Sequence, residues 1–268
     1  MTVDIEGSDN LLVQIDDSVA TLTINRPTVM NAMTTQMFSD FGLICRQLSV
    51  HPDVRVVVIT GSGDNFCSGA DVSGQVDRTS AGTKTPHLRS MRRISETVIA
   101  LHELQHPVIA KVRGIAVGAG LNLALGCDIV MASDTARFSQ IFARRGLSID
   151  FGGSWLLPRQ IGLSRAKELA FLAEIIDAEE ADRIGLVSRV IADKDLDNAV
   201  NVMAQKIAAG PPLALSMSKK LLNAGSVSSL SQALEAEAQA QTINFATEDV
   251  LEAAQSWLEK RPPKFLGR

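Results

Sequence analysis

The run Val54-Arg-Val-Val-Val-Ile-Thr60 constrains the fold more than any other segment. It is almost continuously β-branched, with no apolar–polar alternation, which is the pattern of a strand covered on both faces. Such a strand belongs inside a parallel sheet with further layers on either side. Upstream, Leu11–Ile15 and Val19–Ile24 alternate apolar and polar residues around Asp16-Asp17-Ser18 and read as a β-hairpin. A helix is expected from Thr34 to Leu48, its inward stripe made by Met37, Phe38, Phe41, Ile44 and Cys45. Downstream come a helix over Ser90–Glu103, a strand over Pro107–Val112, a short helix over Gly118–Leu125 and a strand over Ile129–Ala132. This order implies an α/β fold of ββα units with parallel pairing and crossovers.

After Pro158 the chain reads as almost wholly helical, over Ser164–Ala173, Ala178–Ile184, Asp195–Ala209, Leu213–Asn223 and Leu230–Lys260, with Val187–Ile191 the one late strand. Pro211-Pro212 and Gly225-Ser-Val-Ser-Ser read as turns. A division within Ala192–Ala209 is expected, giving a core domain over 1–200 and a helical region over 201–268. The late helices carry apolar stripes with little sequence left to cover them, so this region is expected to serve oligomerisation. The polar, weakly periodic stretch from Ser73 to Leu88 reads as a mobile loop.

With 268 residues, 46% of them hydrophobic, the chain can bury a large core. A net charge of −4 argues against a nucleic-acid groove as the main function, because neutralising many phosphates needs a dense basic surface. Cys45, Cys67 and Cys127 have neither metal-ligand spacing nor an even framework and read as buried thiols in a reducing cytoplasm. No charged leader with an apolar core opens the sequence, and no apolar run is long enough to span a bilayer. Pro107 breaks any helix that would align His102 and His106, so no metal site is expected.

Two glycine-bearing loops stand out, Gly61-Ser-Gly-Asp-Asn-Phe-Cys-Ser68-Gly-Ala70-Asp71 and Gly114-Ile-Ala-Val-Gly118-Ala119-Gly120-Leu-Asn122. Both lack the third glycine of a dinucleotide fingerprint, and neither is followed by Gly-Lys-Ser/Thr. Taken singly, each is a turn needing positive φ or close packing. Taken in order with Asn25-Arg26-Pro27, Asn31-Ala32, Cys127-Asp128-Ile129, Phe138, Gly152-Gly153, Leu157-Pro158-Arg159 and Trp257-Leu-Glu-Lys260-Arg-Pro-Pro, the sequence resembles the enoyl-CoA hydratase/isomerase (crotonase) family along nearly its whole length.

The resemblance implies a crotonase-like ββα spiral core with a helical C-terminal trimerisation region, assembled as a trimer or a dimer of trimers. It implies an acyl-CoA thioester as substrate and no cofactor. It also implies that the backbone N–H groups of Ala70 and Ala119 grip the thioester oxygen, where fixed donors strengthen their bonds as enolate charge develops. Ala119 stands where the family usually has glycine. Ser68, Ala70, Asp71, Val72 and Ala119 are then expected around substrate and CoA, joined by Trp257 and Lys260 from the C-terminal region, often across a subunit boundary. Arg26 is a weaker candidate. Asp71 and Asp128 read mainly as residues that fix loops.

The family's hydratases use two glutamates, and the motif matches place these positions at Asn122 and Phe142, neither of which exchanges a proton. Asp150, in Ser148-Ile-Asp150-Phe-Gly-Gly, instead matches an aspartate of the family's isomerase branches, including the 2,3-dehydroadipyl-CoA isomerase type. One carboxylate suffices to move a proton from C2 to C4 of the same dienolate. Phe142, Phe151 and Trp155 are candidates to desolvate it and raise its pKa. The sequence therefore points to an enoyl-CoA isomerase. The alternatives are a 2-enoyl-CoA hydratase of fatty-acid or aromatic-acid degradation that rebuilds an acid pair from Asp150 and Asp77, and a thioester hydrolase or dehalogenase. Outside enzymes stands a non-catalytic acyl-CoA-binding or RNA-associated protein.

Overall fold

A computed structural model describes Ile5 and residues 7–73 and 87–268. The hairpin forms as read, β1 (Leu11–Asp16) pairing antiparallel with β2 (Val19–Ile24). Parallel pairing then runs through β3 (Val56–Gly61), β4 (Val108–Val112), β6 (Ile129–Ser133) and β9 (Arg189–Ile191), giving a six-stranded sheet in the order β1-β2-β3-β4-β6-β9. A smaller sheet joins β5 (Ile115–Val117), β7 (Arg137–Ser139) and β8 (Ile176–Asp177) in the order β5-β7-β8. These three strands are too short for a two-residue period to register, and β8 shows that Val187–Ile191 is not the one late strand.

The β-branched run is buried on both faces because two layers claim its alternate side chains. Val57 and Ile59 enter the main core beneath α1 (Thr35–Ser49), whose buried stripe contains all five residues expected there. Thr34 caps that helix by accepting from the Met37 N–H at 3.2 Å. Helix α2 (His87–His102) crosses it closely at Gly42, where an added Cβ would lie 3.1 Å from Thr97 Cα. The Thr97 hydroxyl fixes that approach by donating to the Phe38 carbonyl at 2.7 Å.

On the opposite face, Val56, Val58, Ile109 and Met131 pack against Leu196, Val200, Ala204 and Ala208 of α7 (Leu196–Ala208). That helix runs through the expected division at 200/201, its small alanines allowing it to lie close on the sheet. Helices α3 (Ala119–Leu125) and α6 (Ala178–Arg183) each touch strands of both sheets, while α4 (Gly153–Ile161) packs on α3 and on α5 (Leu163–Leu172).

The segment expected as one long helix over Leu230–Lys260 is two, α9 (Leu230–Phe245) and α10 (Glu248–Glu259), preceded by α8 (Pro212–Gly225). The break is local chemistry. The Thr247 hydroxyl turns back to donate to the Asn244 carbonyl at 2.7 Å, while Glu248 and Asp249 favour the positive end of a new helix. Asp249 then accepts from the Leu266 and Gly267 N–H groups at 2.6 and 3.0 Å, folding the tail back. Arg55 beside β3 donates to the Phe265 carbonyl at 2.8 Å and ties the tail to the core. Among the described residues, no helix is long and apolar enough to cross a membrane.

Helix α8 has its own tie. The buried Lys219 ammonium lies 2.8 Å from the Asp128 carboxylate, which also accepts from the Val108 N–H at 2.7 Å. Asp128 is thus a loop-fixing residue, as its motif suggested. Asp128→Ala takes the acceptor from the Val108 N–H and leaves Lys219 to the His106 carbonyl at 3.1 Å, and it is expected to lower the unfolding free energy by about 1.5–3 kcal/mol, the range for a hydrogen bond to a charged group. Denaturant titration checks this, and an unchanged midpoint would show the tie to be idle.

Candidate active site

The two glycine-bearing loops meet backbone to backbone. Cys67 N–H donates to the Ile115 carbonyl at 2.9 Å, and Val117 N–H donates to the Cys67 carbonyl at 3.1 Å. Gly120, in the first turn of α3, sits so close that a Cβ there would run into the Cys67 carbonyl. A Cβ on Gly69 would lie 3.4 Å from the Ala119 nitrogen. Gly118 turns the chain at φ +57, a conformation that costs little only without a side chain, and donates to the Ser139 carbonyl at 2.8 Å. These contacts bring Ala70 and Ala119 together.

Their amides are left over by the folding. Met33 receives the Asp71 N–H and donates to the Gly69 carbonyl, both at 2.8 Å, a bridge that leaves the Ala70 N–H facing away from it. Ala119 is the first residue of α3, where a helical N–H has no partner four residues back. Neither amide donates to another protein group among the described residues. Ala70 is exposed and Ala119 buried. Fixed N–H donors of this kind favour an acceptor that carries negative charge.

Around Ala70 the loop is clamped rather than reactive. Asp71 accepts from the Ser73 hydroxyl at 2.6 Å and backbone at 3.0 Å and from Arg26 at 2.9 Å, and these bonds, Ser73's first, hold its pKa down to about 2. Arg26 also donates to the Ala32 carbonyl at 2.6 Å. Both residues expected near CoA are therefore engaged in shaping the loop. Ser68 donates to the Val29 carbonyl at 3.3 Å, and Val72 is exposed beside it. Buried Asn31 pins the far side, donating to the Ser62 and Asn65 carbonyls at 2.9 and 2.6 Å. Cys67 is no nucleophile, because burial pushes its thiol up to about 12.

Asp150 lies just before α4. The chain leaves it through two residues at positive φ, Phe151 at +49 and Gly152 at +75, and the Phe151 ring buries itself 5.2 Å from that of Phe38. A non-glycine residue held there stores about 1–3 kcal/mol of strain, which the buried ring offsets. The carboxylate is half-buried, its Oδ1 is enclosed without a hydrogen-bond partner, and desolvation alone raises its pKa to about 6. Trp155 makes two ring contacts of its own. Its ring lies under the Arg159 guanidinium at 3.8 Å and edge-on to His102 at 5.1 Å, partly exposed.

The two positions matched to glutamates are both buried. Phe142 stands in a 3₁₀ turn, Ile141–Arg145, its Cζ 3.8 Å from where a Cβ on Gly118 would be. It sets a buried ring beside Gly118. Asn122 donates to the Asp150 carbonyl at 2.8 Å and accepts from Gln140 at 2.8 Å. Gln140, two residues beyond the motif residue Phe138, had no role in the sequence pattern. Trp257 and Lys260 lie on α10 and at its C-cap, with Trp257 79% exposed, and no hydrogen bond, ion pair or ring contact joins either to the loops among the described residues.

The raised pKa of Asp150 has a consequence for stability. Below about pH 4 the group is neutral in folded and unfolded chains alike. As pH rises toward 6 and beyond, the folded chain must carry a poorly solvated charge that the unfolded chain hydrates, so stability falls. Asp150→Asn is expected to melt above wild type at pH 8, with the difference closing toward pH 4. A difference that grows on acidification would contradict this.

A model of the enoyl-CoA hydratase/isomerase family matches residues 14–268. The chain is 39% identical over 256 residues to a probable enoyl-CoA hydratase of Rhodobacter capsulatus, covering 95% of this chain and 97% of that one. It is 34% identical over 261 residues to the 1,2-epoxyphenylacetyl-CoA isomerase of Escherichia coli, covering 96% and 98%. Its structure superposes on that of a putative enoyl-CoA hydratase from Streptomyces coelicolor with a TM-score of 0.91 at 39% identity, over 97% of this chain and 94% of the other. The crotonase-like core expected from the motifs is the fold of that structure. The chain, with two facing loops that leave paired amides free and one desolvated carboxylate close in the fold, belongs to the enoyl-CoA hydratase/isomerase family.

Proposed function

We propose that this protein is an enoyl-CoA isomerase that shifts a 3-enoyl-CoA double bond to the 2,3 position. The observation that carries the reading is the raised pKa of one unpartnered carboxylate, Asp150, where the two glutamate positions hold Asn122 and Phe142. The Ala70 and Ala119 amides would receive the thioester oxygen and stabilise charge as C2 is deprotonated. Asp150 takes the C2 proton, the electron pair spreads into a dienolate, and the same carboxyl group returns the proton at C4. The C3–C4 double bond becomes C2–C3. Substrate and Asp150 balance every bond change, and Phe142 keeps water from the second position.

The second reading is a 2-enoyl-CoA hydratase, supported by the names of the relatives, most of which are hydratases. It requires another acid, and the candidate Asp77 lies outside the described residues. We further propose a trimer or dimer of trimers. Helix α9 has no buried residue, while Leu230 and Phe245 at its two ends are 76% and 74% exposed, a face that a neighbouring subunit would cover.

Turnover of a 3-enoyl-CoA to the conjugated 2-enoyl-CoA is expected to be much faster than hydration of crotonyl-CoA by the same preparation. Prompt formation of 3-hydroxyacyl-CoA with little movement of the 3-enoyl bond would establish the hydratase instead. Asp150→Asn should keep the fold and ligand binding and lower turnover by at least ~10²-fold. Near-normal activity would remove Asp150 from the mechanism. In light scattering, a monomer at micromolar concentration would contradict the proposed assembly.

A further inference from the structure

Asn122 is completely buried and both ends of its amide are used. Its Nδ2 grips the main-chain carbonyl of Asp150, which also accepts from the Gly153 N–H at 2.9 Å and so closes the turn leading into α4. Its Oδ1 is held by Gln140, itself fully buried just beyond β7. Space here is minimal, since a Cβ on Gly153 would run into the Asn122 side chain. Asn122 is also three residues along α3 from Ala119, and its own N–H closes that first turn on the Gly118 carbonyl at 3.0 Å. One turn of helix therefore carries the oxyanion amide at its start and a grip on the Asp150 loop at its end.

We propose that Asn122, oriented by Gln140, is a positioning residue that locks the Asp150 loop to α3 and so fixes the distance between the Asp150 carboxyl group and the Ala119 amide. The role rests on Asp150 being the acid–base group of the proposed reaction. A position that would carry an acid in a hydratase here carries an amide, because a carboxylate has no N–H to offer a carbonyl. The strain at Phe151 gives the lock something to resist. Without the Asn122 bond, the Asp150 carbonyl keeps only the Gly153 N–H, and the loop is free to relax from positive φ and admit water to the carboxyl group.

The test reads Asp150 directly and independently of which reaction is catalysed. In full-length protein with ¹³C-carboxyl-labelled aspartate, Asp150 is assigned by the signal lost in Asp150→Asn and titrated in wild type, Asn122→Ala and Gln140→Leu. Wild type should titrate near 6, and Asn122→Ala should titrate lower, toward an ordinary carboxylate, with Gln140→Leu between them. Misplacement of the group should lower kcat by between about tenfold and 10²-fold while KM for the 3-enoyl-CoA changes little. An Asp150 titration unmoved in folded Asn122→Ala would overturn the proposal and leave Asn122 a core amide. Should Asn122→Ala fail to fold, Gln140→Leu decides alone, a lower titration supporting the lock and an unmoved one overturning it. If the titration moves but no 3-enoyl-CoA is isomerised, the lock stands and the isomerase reading falls.

Discussion

The close seating of the α3 turn on the Cys67–Gly69 backbone is the contact on which the rest of the site depends. Gly120 lies against the Cys67 carbonyl at a distance no side chain would allow, and Gly69 lies against the Ala119 nitrogen. The two loops arrive there from different strands, β3 and β5, and are fastened by the Cys67–Ile115 and Cys67–Val117 hydrogen bonds. Spare amides at Ala70 and Ala119 follow geometrically, since one is turned away from its bridge and the other begins a helix. The parallel strands behind them are largely buried, and backbone dipoles stabilise developing charge most effectively where they are fixed before any ligand arrives.

Around this fixed pair the electrostatics differ sharply between two aspartates. Asp71 is surrounded by donors and is kept ionised down to about pH 2, which suits a loop clamp. Asp150 has no donor on its buried oxygen and is raised to about 6 by lost hydration, which suits a group that must both take and return a proton. The chain has the frame of a site that in hydratases would work with two glutamates, yet it presents hydrocarbon at one position and an amide at the other. The proposed isomerase reading grows from that substitution, whereas the relatives' names weigh toward hydration.

Much of this was legible in the sequence because the signals were local and redundant. The β-branched run of β3 and the stripe of α1 each announce themselves within a few residues. The strands of the small sheet did not, because three residues carry no period and their pairing is decided by distant partners. The break between α9 and α10 falls at Thr247-Glu-Asp249, where a hydroxyl that bonds backward and two acids at a helix start are hidden inside an otherwise helical stretch. At the site, Asp150, Ala70 and Ala119 were reached through motif matches. The bond from Asn122 to the Asp150 carbonyl was not, since a side-chain to main-chain contact across 28 residues leaves no trace in spacing. The contacts of the Trp155 ring with Arg159 and His102 were equally beyond the reach of spacing.

The central claim is that one carboxyl group carries a single proton between two carbons of a thioester held by backbone amides. The most direct measurement follows that hydrogen, using a 3-enoyl-CoA deuterated at C2 and reading the product by mass and NMR after a single turnover. The account predicts 2-enoyl-CoA with part of the deuterium from C2 recovered at C4, and no such transfer in Asp150→Asn. A 3-enoyl-CoA left unchanged by wild type, while 2-enoyl-CoA is converted to 3-hydroxyacyl-CoA, would contradict it.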